Sequence, residues 1–410
     1  MPGLLWYAGA LLAWAKGGPP AEISTVTIPK NFMIGTATSA YQVEGAWNVS
    51  GKGVSIWDTY VHEHPNLIAG RSNGDIAADS YHQYLQDVAA LKKLGVDFYR
   101  FSISWPRILP HGQVNVVNQA GIDYYNKLIN ELIRNKIEPM IAMYHWDLPQ
   151  TLQDLGGWAN PIMAEYFEDY ARVLFSKFGD RVKWWITFVD PDITVKSYIP
   201  SWNKAPGVNS PHVGLYLAIH TLIQSHSRAH RLYNNEFRDT QKGKLGLFAN
   251  PIYSSEGDYP QIISEELEKL SIAQGYPKSR LIKFTPEEVT NIKGTFDFLG
   301  LNYYTTRLVR APQPTVDLMN APDNNVNLII DPKWPPSASP NLKVVPWGFR
   351  KLLNWIKRAY NNTPVLVTGN GFSDRGETED TERIKYIIVS GTTSTVFSKY
   401  YVHSFYKRCP

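Results

Sequence analysis

Four apolar runs in this chain end in side chains that packing alone does not explain. His145 and Trp146 close the run Glu138–Trp146 (EPMIAMYHW). Asp190 follows Lys183–Val189 (KWWITFV). Asn302 and Tyr304 lie late in Phe296–Thr305 (FDFLGLNYYT), and Gly369 and Asn370 follow Pro364–Thr368 (PVLVT). A single histidine in such a place is more often a satisfied core residue. Polar groups at equivalent ends of several strands instead mark one site. The chain also has 13 Trp and 24 Tyr. That richness suits rings stacked against sugars, although the same residues are large core fillers.

The elements that must carry these residues follow from periodicity. Near-continuous apolar strands imply burial on both faces, as in a parallel sheet. Between them lie helical stretches. Asp79–Leu94 carries Tyr81, Leu85, Val88 and Leu91 at helical spacing and stops at Gly95. Asn118–Lys136 sets Ile122, Tyr125, Leu128 and Leu132 on one side. Asn160-Pro161 opens a third helix that runs to Phe178, with Gly179 beyond it. Alternation of strand and helix over 410 residues predicts an α/β fold of the (β/α)8, or TIM, barrel type. A doubly wound open sheet is the alternative, but no Gly-x-Gly-x-x-Gly turn supports it.

Composition removes other classes. Hydrophobic residues are 43% and charged residues 19%, enough for a large core and unlike a disordered chain. The net charge of +4 is spread along the chain, which argues against nucleic acid or an anionic membrane as partner. The one cysteine, Cys409, allows neither an intrachain disulfide nor a cysteine metal site. The apolar segment Leu4–Ala15 is too short to span a bilayer, and Ala13-Trp14-Ala15 has the small-x-small form of a cleavage site. Residues 1–15 are therefore expected to be a secretory signal. Asn48-Val49-Ser50 and Asn361-Asn362-Thr363 fit the glycosylation pattern, the second weakened by Pro364.

Longer motifs point to one family. Asn31–Asp58 (NFMIGTATSAYQVEGAWNVSGKGVSIWD), Tyr99–Pro106 (YRFSISWP), Tyr144–Gln150 (YHWDLPQ), Trp185–Pro191 (WITFVDP), Gly300–Thr305 (GLNYYT) and Val367–Asp374 (VTGNGFSD) occur in that order. The chain resembles the family 1 glycoside hydrolases, the β-glucosidase and myrosinase group, over residues 28–386. The resemblance implies a β/α barrel, a small-molecule β-glycoside as partner, and no metal or cofactor. It also implies a retaining mechanism with two carboxylates about 5 Å apart, one protonating the leaving group and one attacking the sugar carbon. By the same resemblance Gln42 and His145 contact sugar hydroxyls, Trp146 lines that subsite, Asn302 and Tyr304 flank the nucleophile, and Arg100 and Asn370 support it.

The departures fall on the chemistry. The family's acid/base stands in Thr-Phe-Asn-Glu-Pro; here Asp190 holds that place, one methylene shorter, after Val189 rather than an asparagine that would bond the sugar 2-hydroxyl. The nucleophile stands in Thr-Glu-Asn-Gly; here Gly369 holds its place and offers no side chain to attack. Asp374 is the one nearby carboxylate that could substitute, by swinging in from the loop. Gly369 also withdraws the charge that the family places beside Arg100, and the space left is expected to take a small anion, such as formate or azide, or water. Asn341 falls near the place where relatives carry an aglycone-stacking tryptophan.

Two losses concern the scaffold. Gly243–Gly246 runs directly into Leu247–Ile252, so a strand–helix segment after strand five is expected to be deleted. The tail Ile387–Pro410 carries no family motif, so strand eight and its sugar-holding residues are expected to be missing. The expected function is that of a β-glucosidase relative that has lost retaining hydrolysis and keeps glycoside binding. The alternatives are weak turnover with Asp190 as acid/base, or a nonfunctional truncated product.

Overall fold

The computed structural model describes residues 32–247, 249–310, 327–375, 381–395 and 398–404. The expected signal segment 1–15 and Cys409 lie outside the described residues. The strands are β1 (Met33–Ala37), β2 (Phe98–Ser102), β3 (Glu138–Tyr144), β4 (Trp184–Phe188), β5 (Lys244–Leu247), β6 (Phe298–Tyr303), β7 (Leu308–Arg310), β8 (Asn327–Ile329), β9 (Val365–Asn370) and β10 (Ser398–Ser404). Eight of them form a closed barrel in the order β1-β10-β9-β6-β5-β4-β3-β2, while β7 and β8 pair apart as an antiparallel ribbon. The fold is the TIM barrel that the pattern and the motifs led one to expect.

The chain divides into two compact units. The first holds Thr38–Asp258 and Arg280–Asp297, with β2 to β5. Its strands pair in parallel, Arg100 opposite Met140 and Trp185 opposite Leu245. Apolar side chains on both faces bury these strands, as in Pro139–Tyr144 of β3. The Gln119–Arg134 helix packs Ile122, Tyr125, Leu128 and Leu132 inward, each worth about 1.5–3 kcal/mol on burial. Gly95 ends the Ser80–Leu94 helix with φ 70°, a conformation open to a residue without Cβ. Leu85 of that helix lies 54% exposed, so only Val88 and Leu91 of the expected stripe are core. An aromatic block backs the strand ends: Trp105 stacks on Tyr170 at 4.5 Å and Phe167 on Phe188 at 4.4 Å.

The second unit holds β1, β6, β9 and β10 together with Tyr259–Ser279. β6 pairs with β9, β9 with β10, and β10 with β1, all in parallel. Here the expectation of a missing eighth strand is corrected. Residues 398–404 of the motif-free tail stand between β9 and β1, with Met33 opposite Tyr400 and Ala37 opposite Ser404. The ladder asks only for backbone N–H and C=O groups, which the proline-free run Ser-Lys-Tyr-Tyr-Val-His-Ser supplies, and Tyr-Tyr-Val favours the extended backbone. The family's sugar-holding Trp and Glu do not return with it, since residues 387–410 contain neither. The shortened strand-five region is present as expected. β5 is four residues long, and the Asn250–Tyr253 helix begins within three residues of its end.

Candidate active site

The site residues fall into two groups, one in each unit. In the first unit, His145, Trp146, Val189 and Asp190 follow the ends of β3 and β4. The Val189 N–H donates to the Tyr144 carbonyl at 3.0 Å, extending the β3–β4 ladder past its last strand residues. Trp146 Nε1 donates to the Val189 carbonyl at 3.0 Å, so the indole is fixed against the segment that leads into Asp190. Trp146 has φ 73° and Asp190 φ 45°, uncommon for residues with a Cβ. Such backbone persists where the surroundings over-determine it, often at functional sites. Asp190 is half-buried and precedes the Pro191–Lys196 helix, where its side chain does not cap the helix. Lys204 lies over the Trp146 ring at 5.6 Å and the Trp57 ring at 6.0 Å.

His145 is buried, and its Nδ1 has no hydrogen-bond partner among the described residues. Burial, reinforced by the Arg100 charge, holds its pKa well below the usual histidine value, so the ring is neutral. A neutral imidazole with an open nitrogen can exchange a hydrogen bond with a hydroxyl. Arg100 is buried in β2. Gln42 is half-buried in the short Ala40–Val43 helix, whose first N–H donates to Ser102 Oγ at 2.7 Å and so ties the helix to β2.

The second group sits on β6 and β9, whose register places Asn302 opposite Gly369 and Tyr303 opposite Asn370. Asn370 is fully buried and donates through Nδ2 to the Tyr303 carbonyl at 2.6 Å and to Tyr386 Oη at 3.0 Å. It serves the scaffold here, bracing β9 against β6. Thr368 Oγ1 donates to Asn302 Oδ1 at 2.9 Å. A Cβ placed on Gly369 would meet Asn302 Oδ1 at 2.5 Å and Tyr304 Oη at 2.8 Å, closer than real side chains tolerate. The side-chain ends of Asn302 and Tyr304 therefore stand beside Gly369, and a side chain there would require them to shift. Asp374, the carboxylate considered above as a substitute, forms an ion pair with Arg383. Asn341 is exposed, and its carbonyl accepts from Arg307.

Comparisons with known proteins identify the family. The family model "Glycosyl hydrolase family 1" matches residues 24–248 and 241–390. The chain belongs to glycosyl hydrolase family 1. The two stretches of that match overlap over residues 241–248, which hold β5. The chain is 47% identical over 395 residues to Myrosinase 1 of Brevicoryne brassicae, covering 88% of this chain and 83% of that protein. The solved aphid myrosinase superposes with a TM-score of 0.84 at 44% identity, over 92% of this chain and 88% of that one. A family 1 β-glucosidase from the fungus Humicola insolens, solved in complex with glucose, gives 0.82 at 32% identity, over 93% and 90%.

One residue escaped the motif reading. Asp147, next to Trp146, is buried, and neither carboxylate oxygen has a hydrogen-bond partner among the described residues. The signal was its place inside Tyr144–Gln150, where the flanking aromatics drew attention first. Among the described residues no cluster of three or more His, Cys, Asp or Glu could hold a metal ion, and no helix is long and apolar enough to cross a membrane.

Proposed function

We propose that this family 1 chain holds a β-glycoside through Gln42, His145 and Trp146 without cleaving it by the two-step retaining route. The observation that carries the reading is the contact set at Gly369, where even a Cβ would require the side-chain ends of Asn302 and Tyr304 to shift. A retaining glycosidase forms a bond from a carboxylate oxygen to the sugar carbon as the leaving group departs. Glycine supplies no such atom, and the Asp374–Arg383 ion pair holds the nearest alternative elsewhere. Losing the nucleophile costs on the order of 10³-fold or more in turnover. Ground-state contacts to a sugar come from other residues, so binding is retained. The glucose held by the Humicola insolens relative supports a sugar as occupant.

The test pairs binding with turnover. Titration calorimetry with glucose and an aryl β-glucoside is expected to show saturable binding. The same aryl glucoside is expected to release no phenol, with or without azide, because azide finds no open space beside Gly369. Phenol release that azide accelerates would mean that the space opens and that Asp190 works as acid. No binding to soluble, folded protein would leave only an inherited scaffold. We also read residues 1–15 as an export signal and Asn48 and Asn361, both exposed, as glycan acceptors. Enzymatic deglycosylation of material secreted by eukaryotic cells should then lower its mass.

A further inference from the structure

Asp147 lines a cavity in the first unit with Glu44, Lys52, Asp58 and Arg107. These groups come from different elements, and most are already matched. Glu44, just past the Ala40–Val43 helix, accepts from Arg107 Nε at 2.8 Å and from Tyr125 Oη at 2.5 Å. Asp58 accepts from Lys52 Nζ and from the Ser55 hydroxyl and N–H, each at 2.8 Å. Asp147 is 2% exposed, and neither oxygen has a donor within hydrogen-bonding geometry among the described residues. Tyr144 of β3 and Tyr170 of the Met163–Phe178 helix are the other titratable groups that feel its charge. With every group ionised, three carboxylates face two cations, and the surplus charge falls on Asp147, the one of the three that no side chain pairs. A buried anion that no side chain pairs is costly, and taking up a proton removes the cost.

We propose that Asp147 is a proton-binding residue, neutral while His145 and Trp146 hold their folded positions, and that its ionisation loosens that segment. The inference does not rest on sugar binding, since it concerns the folded chain alone. Burial, and then the charge of Glu44, push the Asp147 pKa up to about 7, against the opposing pull of Lys52 and of the neighbouring backbone groups of Asp147 and His145. An unfolded aspartate titrates near 3.9, so the folded chain binds this proton more tightly. The group therefore leaves stability untouched below about pH 4, lowers it progressively as pH rises, and exerts its full penalty above about pH 7. Because Asp147 adjoins Trp146 in sequence, that penalty acts on the segment that carries the candidate sugar contacts.

Isotope-edited infrared spectroscopy on the full chain labelled with ¹³C-aspartate tests this. A protonated carboxyl band that shifts with the label is expected at about pH 6 and is expected to be gone by about pH 9, and Asp147→Asn should remove it. Hydrogen exchange, corrected for its intrinsic pH dependence, should show residues 144–148 losing protection across the same range in the native chain and not in Asp147→Asn. Absence of the band at about pH 6, or a band insensitive to aspartate labelling and so owed to Glu44, overturns the proposal. Equal loss of protection in both chains overturns the coupling. If Asp147→Asn does not fold, the labelled native spectrum still decides the protonation.

Discussion

The two groups of family residues, one in each unit, use their polar side chains differently. At the ends of β3 and β4 the polar groups stay available: His145 keeps an open nitrogen, and Trp146 is locked by a backbone bond to Val189. At the ends of β6 and β9 the polar groups have turned on one another. Asn302 takes a hydrogen bond from Thr368 and, with Tyr304, covers Gly369. On the reading proposed here, a glycine at the nucleophile position need not leave a hole. Neighbours evolved to touch a carboxylate are polar and within reach, and a close-packed interior favours their moving in.

Breaking the support of the open half should have the largest effect. Phe188, 2% exposed, stacks on Phe167 and lies edge-on to Trp158 at 5.3 Å. Phe188→Ala is expected to cost about 3–5 kcal/mol, read from urea unfolding, and to weaken sugar binding with it. In the closed half, Gly369→Ala must push Asn302 aside and break its bond from Thr368. A loss of about 1–3 kcal/mol is expected. Pairing it with Asn302→Ala should recover part of that loss, because contacting residues do not add independently. A purely additive double variant would mean that Asn302 does not fill the space.

His145→Gln sharpens the comparison by separating binding from stability. About tenfold weaker glucose affinity is expected, equivalent to about 1.4 kcal/mol, with little change in the unfolding midpoint. The smallest effect concerns acid. Burial depresses the pKa of His145, that of His226 to about 3 and that of His230 to about 4. Each stays neutral in the fold while its unfolded counterpart charges below about pH 6.5, so stability is full above that pH and falls as pH drops. His226, held by Thr187 Oγ1 at 2.7 Å and the Thr295 carbonyl, is the clearest case. His226→Gln should flatten the fall in the urea midpoint between about pH 6.5 and 5.

Much of this was legible in the chain itself. The runs ending at Trp146, Val189, Thr305 and Thr368 became β3, β4, β6 and β9, because strands buried on both faces leave an unbroken apolar signature. Gly369 and Asp190 were found by motif, and the structure puts them at strand ends. The eighth strand was not legible. A parallel edge recruits a strand through backbone groups, so Ser398–Ser404 could fill the place without any family residue. The filling of the space beside Gly369 was also hidden. Asn302 and Tyr304 read as sugar-site residues by motif, and only their distances to the glycine show that they close it. Leu85 and Asp147 erred in opposite directions: an apolar residue left in solvent and a carboxylate sealed away from it. Periodicity reports average faces and misses both.

The claim that no attacking group remains is tested most directly by intact-mass analysis after incubation with a 2-deoxy-2-fluoro glucoside bearing a good leaving group. Such a reagent traps the glycosyl-enzyme of a retaining glycosidase, because the fluorine slows the second step more than a good leaving group lets it slow the first. The native chain is expected to keep its unmodified mass at saturating reagent. Stoichiometric gain of one fluoroglycosyl unit, mapped to any residue of the native chain, would contradict the account.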